Sequence, residues 1–215
     1  MPNPWLAIPL ADYEGHMASA AVQQTEALSD LFAQALALRQ PASVAVLGVA
    51  GGNGLERIDN AKTQRVVGVD VNPHYLQAVR QRYSHLRGLE LHCLDLSGQD
   101  LSDQALADPA LPPVDLVHAA MVFEHAGTGR CLQNALSLVD ACGALSVVLQ
   151  LPGQAGQDVG QGGFASIQAL KSHFSLIDPV CFRASLEERG FRLVHEARRS
   201  LPAGKAFWMG VFARG

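Results

Sequence analysis

The chain has 215 residues, 48% hydrophobic and 17% charged, which suits a folded unit with a sizeable apolar core. A net charge of −4 and a sequence pI near 6.0 leave no global basic footprint for DNA or RNA. No uninterrupted apolar run reaches membrane-spanning length, and "MPNPWLAIPLADYEGHM" lacks the basic start and long apolar stretch of a signal peptide, so a cytoplasmic protein is expected.

Residues 17–38 carry an apolar stripe through Val22, Leu28, Leu31, Phe32, Ala35 and Leu36, which predicts one amphipathic helix within a helical cap over residues 1–40. "SVAVLGV" reads as the first strand, running into a glycine-rich turn and the short helix "GLERI". "RVVGVDV" is apolar on both faces, as a central parallel strand should be. Asn72 caps the next helix and Pro73 takes its first position, where a missing N–H costs nothing; Leu76, Val79 and Tyr83 form its expected buried stripe.

"LELHCLDL" is the third strand, and residues 97–113 form a polar, proline-rich connection. "VDLVHAAMV" is the fourth strand; Thr128 opens a helix expected to end at Gly143, and "ALSVVLQLP" is the fifth strand. Residues 153–164 are Gly- and Gln-rich and read as a loop at the carboxyl edge of the sheet. Asp178, Pro179 and Gly190 bracket another helix, and "FRLVHEARRSL" and "KAFWMGVFA" form two strands joined around "PAG". The alternation predicts an α/β fold with a doubly wound, mostly parallel sheet and an antiparallel last strand. Residues 1–215 are read as a single domain.

Gly48, Gly51, Gly52 and Gly54 let the backbone turn tightly and approach a ligand at the carboxyl ends of the strands. Asp70, ending an otherwise apolar strand, suits a ribose diol, because a carboxylate accepts two hydrogen bonds at once. Asp95 ends the third strand, where it suits an adenine amino group, with Leu96 packed on the ring.

Together "VLGVAGGNG", "VVGVDVNPHYL", "CLDL", "VDLVHAAMVFEHAG" and the terminal hairpin resemble class I S-adenosylmethionine-dependent methyltransferases. The resemblance spans nearly all of residues 40–215. It implies a seven-stranded sheet with helices on both faces and S-adenosylmethionine as cofactor. It further implies that the loop holding Gly48, Val49, Ala50, Gly51 and Asn53 cradles the amino-acid part of the cofactor. Asp70 would hold the ribose and Asp95 with Leu96 the adenine, with Val71 and Ala120 also at the cofactor. Two residues depart from the family pattern. Val46 stands where an acid usually precedes the first glycine, and Ala50 replaces the second glycine, leaving Gly51 and Gly52 to absorb the turn.

Those departures keep a non-catalytic, methyltransferase-like binding protein as an alternative. A nicotinamide-dependent dehydrogenase shares the glycine signature, but the chain has no YxxxK pair and no separate substrate domain. In "MVFEHAG", Glu124 and His125 lie where methyl group and acceptor should meet. His125 is the candidate general base; the competing reading has it cap the following helix. An [ND]PPY motif is absent, which argues against amino groups of bases or glutamine as acceptors.

Tyr13 and His16, with Glu14, are candidate substrate or lid residues; the alternative is an exposed capping segment ahead of the first helix. "PWLAIPL" is an apolar segment available to pack on a partner chain. His92 and His118 read as satisfied core or strand-end residues. No ligand spacing suggests a metal, and Cys93, Cys131, Cys142 and Cys181 read as buried small apolar residues in a reducing compartment. The expected function is in-line methyl transfer to a small molecule, with neither nucleic acid nor membrane as partner.

Overall fold

The computed structural model describes residues 3–20, 22–98, 111–153 and 164–215. In chain order the elements are α1 (Leu10–Ala18), α2 (Gln24–Arg39), β1 (Ser43–Leu47), β2 (Arg65–Asp70), α3 (Pro73–Arg82), β3 (Leu89–Cys93) and β4 (Val114–Ala120). There follow α4 (Phe123–Ala126), α5 (Arg130–Ser137), β5 (Val139–Leu151), α6 (Ala165–Gln168), α7 (Pro179–Glu187), β6 (Phe191–Ser200) and β7 (Ala206–Arg214). Short 3₁₀ turns cover Pro4–Ala7, Leu55–Arg57, Ala169–His173 and Pro202–Gly204.

The seven strands form one sheet in the order β3-β2-β1-β4-β5-β7-β6. Six strands run parallel, and β7 runs antiparallel to both β5 and β6. Side-chain alternation sends Val67, Val69, Val117 and Val147 to one face, against α5 and α7 through Leu132, Ala135 and Phe182. Val44, Val66, Leu116 and Val211 face the other way, against α2 and α3 through Leu31, Phe32, Leu76 and Val79. Helices on both faces and an antiparallel last strand match the expected architecture.

Local signals explain several boundaries. The Asn72 side chain accepts from the His74 N–H at 3.0 Å, and Asp178 accepts from the Val180 N–H at 2.7 Å, so both helices start where a cap was expected. The buried face of α3 uses Tyr75, Leu76 and Val79, while Tyr83 is only half-buried.

Other boundaries correct the expectations. The single helix over 17–38 is two helices: α1 stops at Ala18, the Val22 and Gln23 amides both bond to the Ser19 carbonyl, and Gln23 takes φ +47°. Residues 12–17 therefore lie inside α1 rather than ahead of the first helix. The helix expected to reach Gly143 ends at Ser137, and residues 139–143 already belong to β5. Gly143 is a close-approach residue, since a Cβ there would sit 2.8 Å from the Val114 carbonyl oxygen.

The cysteine reading holds only for Cys131; Cys93, Cys142 and Cys181 are exposed. His118 is buried, with Nδ1 3.1 Å from Ser146 Oγ and its ring stacked on Phe32. The segment "PWLAIPL" folds back on its own chain: Ile8 is buried with Ile167 and Leu170. The loop readings over 97–113 and 153–164 fall mostly outside the described residues. Among the described residues no helix is long and apolar enough to cross a membrane.

Candidate active site

Strands β1 to β5 are parallel, so their carboxyl ends share one edge of the sheet, where ligands bind in folds of this type. A cavity of about 410 Å³ opens there, within the roughly 300–1,000 Å³ range of small-molecule sites. Its floor is the strand ends, and its roof is the N-terminal segment with residues 164–174.

Asp70 is the best-defined polar group in this cavity. It is 8% exposed; Oδ2 accepts the Ala50 amide at 2.8 Å and Oδ1 accepts the Asn72 amide at 2.9 Å. Burial pushes its carboxyl above the usual range, against the backbone hydrogen bonds that lower it. Gly48, Ala50, Val71 and Ala120 line the cavity beside it. Gly48 lies at φ +63°, and a Cβ there would come 3.0 Å from Val122. Gly52 takes φ +90°, but Ala50 also enters the left-handed region at φ +46°, so the neighbouring glycines do not spare it.

Asp95 and Leu96 line the same cavity past β3. Burial pushes Asp95 up, but the Ser97 hydroxyl and amide, with the Asn3 amide group, outweigh it and hold the carboxyl below its ordinary value. The site thus combines a strained glycine-rich turn, a buried carboxylate at the end of β2 and a second carboxylate one strand further out. These features fit an adenosine-bearing cofactor.

His125 lies across the cavity, edge-on to Trp5 at 4.9 Å and to Phe174 at 5.2 Å. Its Nδ1 has no hydrogen-bond partner, and burial, aided by His173, lowers its pKa to about 4. Tyr13 and His16 also line the cavity; His16 is 7% exposed with Nδ1 unpartnered, and burial followed by Lys205 lowers its pKa. Burial, with Asp70 and Glu14 nearby, raises the Tyr13 phenol.

Four predicted site residues do not line the cavity. Val49 is buried in the core and donates its amide to the Val69 carbonyl at 3.0 Å. The Gly51 carbonyl accepts from Arg82 at 3.1 Å, and Asn53 reaches the Thr25 carbonyl at 2.9 Å. Glu124 is buried with Oε1 accepting the Gln150 amide at 2.8 Å, so it ties the β4 exit to β5 rather than facing a substrate. Val46, where the family pattern has an acid, is sealed in the core facing α2. Among the described residues no cluster could hold a metal ion.

Sequence reasoning missed Trp5, Gln24, Gln150, His173, Phe174 and Lys205, all of which line the cavity. Gln24 donates to Gln150 at 3.1 Å, joining α2 to the end of β5. Only the Trp5 position carried a sequence signal, a lone tryptophan between prolines just before Tyr13 and His16.

Four contacts hold the roof down, and a fifth, between Asp12 and Ser166, joins its two parts. The Trp5 carbonyl accepts from Asn72 at 2.9 Å, and the Ile8 carbonyl accepts from the Tyr75 hydroxyl at 3.0 Å. Asp12 accepts from Ser166 at 2.6 Å, and Asn3 donates to Asp95 at 3.2 Å. Glu14 pairs with the same Arg82 that holds the Gly51 carbonyl.

This fold is that of the class I, S-adenosylmethionine-dependent methyltransferases. A family model described as a methyltransferase domain matches residues 46–145. The N-methyltransferase NodS of Bradyrhizobium japonicum WM9, solved with S-adenosyl-L-homocysteine, superposes with a TM-score of 0.66 at 14% identity, covering 99% of this chain and 98% of that one. Magnesium protoporphyrin IX methyltransferase of Synechocystis PCC 6803, solved with S-adenosylmethionine, gives 0.68 at 12% identity over 98% and 93%. The [4+2]-cyclase SpnF gives 0.65 at 13% over 89% and 81%, which illustrates that this fold alone does not set the reaction. No curated protein sequence matches the chain.

Proposed function

We propose that this methyltransferase moves a methyl group from S-adenosylmethionine to a small-molecule acceptor by in-line displacement. The family match and the neighbours solved with S-adenosylmethionine or S-adenosyl-L-homocysteine support the class and the cosubstrate. The observation that carries the reading is Asp70, a buried carboxylate held by two backbone amides at the mouth of the Gly48–Ala50 turn. When bound, the cosubstrate supplies an electrophilic methyl group on a sulfonium. Asp70 would accept the ribose hydroxyls, Asp95 with Leu96 would meet the adenine, and Val71 and Ala120 would wall the channel. Gly48 and Ala50 would admit the amino-acid part.

Positioning and water exclusion dominate such a transfer; holding two reactants in line is worth roughly 7–11 kcal/mol. The roof built on Trp5, Tyr13 and Phe174 would exclude water. His125 is proposed to face the acceptor. Its buried ring stays neutral at pH 7, so Nδ1 can accept a proton, and an oxygen carrying positive charge after methylation is acidic enough for so weak a base. Glu124 is proposed as a positioning residue, acting through Gln150.

We further propose that residues 1–215 work as one domain, with 1–40 as a helical cap, in the cytoplasm and on small molecules rather than nucleic acid. The continuous seven-stranded sheet and the net charge of −4 support this. Calorimetric titration with S-adenosyl-L-homocysteine, with NADH in parallel, tests the core of the proposal. Micromolar binding of the former alone is expected; binding of neither compound would overturn it.

A further inference from the structure

Four rings form a continuous row along the cavity wall: Tyr13, Trp5, His125 and Phe174. Each meets the next edge-on, at centroid distances of 5.7, 4.9 and 5.2 Å and interplanar angles of 77°, 84° and 61°. They come from four separate parts of the chain: α1, the Pro4–Ala7 turn, α4 and the segment ahead of α7. Met17, Met121 and Val122 add apolar lining. Such a wall offers a flat aromatic guest ring-to-ring contacts beyond the area it buries, and an aliphatic guest the area alone.

His125 stands inside this row. It follows β4, which lies beside β1, roughly 4.8 Å from the strand that ends at the Gly48 turn. Its Nδ1 has no hydrogen-bond partner. A neutral imidazole carries one donor and one acceptor, and a polar atom left unpaired among apolar rings costs free energy. A hydroxyl both donates and accepts, so it completes the imidazole whichever nitrogen holds the proton.

The charges around the cavity are spoken for. Asp70 and Asp95 sit at the β2 and β3 ends, on the side proposed for the cofactor. Lys205 is already engaged within the chain. His173 is exposed, with Nδ1 3.0 Å from Ser172 Oγ. Burial keeps His16 and His125 uncharged at pH 7. An ionic guest would therefore lose its hydration without gaining a counter-charge from these residues.

We propose that the methyl acceptor is an uncharged aromatic alcohol of the phenol class, its ring held along the Tyr13–Trp5–His125–Phe174 row and its hydroxyl on His125. This rests on the methyltransferase reading above and names its substrate class. The hydroxyl oxygen bonds the methyl carbon as the carbon–sulfur bond breaks, with that electron pair going to sulfur. The hydroxyl proton passes to the His125 imidazole and from there to water. The products are a methyl ether and S-adenosyl-L-homocysteine.

The test is calorimetric titration of the full chain, saturated with S-adenosyl-L-homocysteine, using 2-naphthol, 2-naphthoate and decahydro-2-naphthol. The second probe exchanges the hydroxyl for a charge, and the third keeps the hydroxyl but loses the flat ring. 2-Naphthol should bind about tenfold or more tighter than 2-naphthoate and several-fold tighter than decahydro-2-naphthol. His125→Phe keeps a ring in the row and removes the hydrogen bond, so it should weaken 2-naphthol by about two- to tenfold. Phe174→Leu should weaken it by a similar factor and leave decahydro-2-naphthol unchanged.

The proposal is overturned if 2-naphthol does not bind, if either analogue binds as tightly, or if both variants bind 2-naphthol as wild type does. If wild type does not bind S-adenosyl-L-homocysteine, the methyltransferase reading fails first, before any alcohol is added. Thermal melting checks that each variant folds; if His125→Phe does not, Phe174→Leu, outside any helix or strand, decides.

Discussion

Asp70 and Ala50 are joined across neighbouring strand ends: the carboxylate Oδ2 accepts the Ala50 amide at 2.8 Å while Ala50 holds φ +46°. One side chain therefore shapes the turn and still has lone pairs left at the cavity. Asp70→Asn should weaken S-adenosyl-L-homocysteine by at least about tenfold in calorimetry while the variant still melts cooperatively. Burial raises the Asp70 pKa, so its ionised, ligand-accepting form is lost sooner on acidification than an ordinary aspartate's. Affinity should fall on the acid side in wild type and stay flat in Asp70→Asn. Equal affinity in the two proteins would remove Asp70 from the cofactor site.

Ala50 pays for its left-handed backbone. A non-glycine residue there costs roughly 1–2 kcal/mol, partly offset in a glycine variant by the freer unfolded chain. Ala50→Gly is expected to stabilise by about 0.5–1 kcal/mol, raising the melting temperature by a few degrees. A lower melting temperature would show that the methyl group packs more favourably than the strain costs.

The Glu14–Arg82 pair is the surface latch of the roof. Both side chains are more than a third exposed, so the pair contributes only about 0.2–1 kcal/mol. Glu14→Gln should leave the melting temperature nearly unchanged but speed amide exchange in residues 10–18 and shorten the residence of S-adenosyl-L-homocysteine several-fold. Unchanged exchange would show that the contacts to Tyr75, Asn72 and Asp95 hold the roof without it.

Glu124 carries the clearest pH signature. Burial pushes its carboxyl up to about 7, and Oε2 has no partner. Its unfolded value is about 4.3, so the folded chain keeps the proton longer. Stability is lost as pH rises from about 4.5 to about 7, by on the order of 3 kcal/mol. Glu124→Gln keeps an acceptor for the Gln150 amide and removes the charge. Melts at pH 5 and pH 8 should show the variant several degrees more stable at the higher pH and little changed at the lower. Parallel behaviour at both would mean that this carboxyl does not titrate in the window.

The parallel sheet was legible because each strand end carries its own local signal: the glycine turn after β1, Asp70 after β2 and the capped α3 behind it. Asp95 and His125 also reach the cavity as expected. What was not legible depended on distant partners. The break between α1 and α2 has no proline or glycine; it turns on Ser19 accepting two amides and on Gln23 entering a left-handed conformation. Gly143 resembled a helix stop, yet it is small because β4 passes beside it. Lys205 joins the cavity only because β7 returns antiparallel beside β5, placing a turn from the end of the chain next to α1.

The roof has a further consequence for how the protein matures. Asn3, Trp5, Ile8, Asp12 and Glu14 bond to residues 92, 67, 67, 154 and 68 positions away in the chain. A ribosome therefore releases the lid long before the surfaces it must rest on exist. Closing such long loops is entropically slow, so the lid should be the last part to settle and the first to lift. The segment that shuts the cavity is thus also the easiest to hold open, and a bulky fusion at the amino terminus would disturb ligand capture while leaving the sheet beneath it folded.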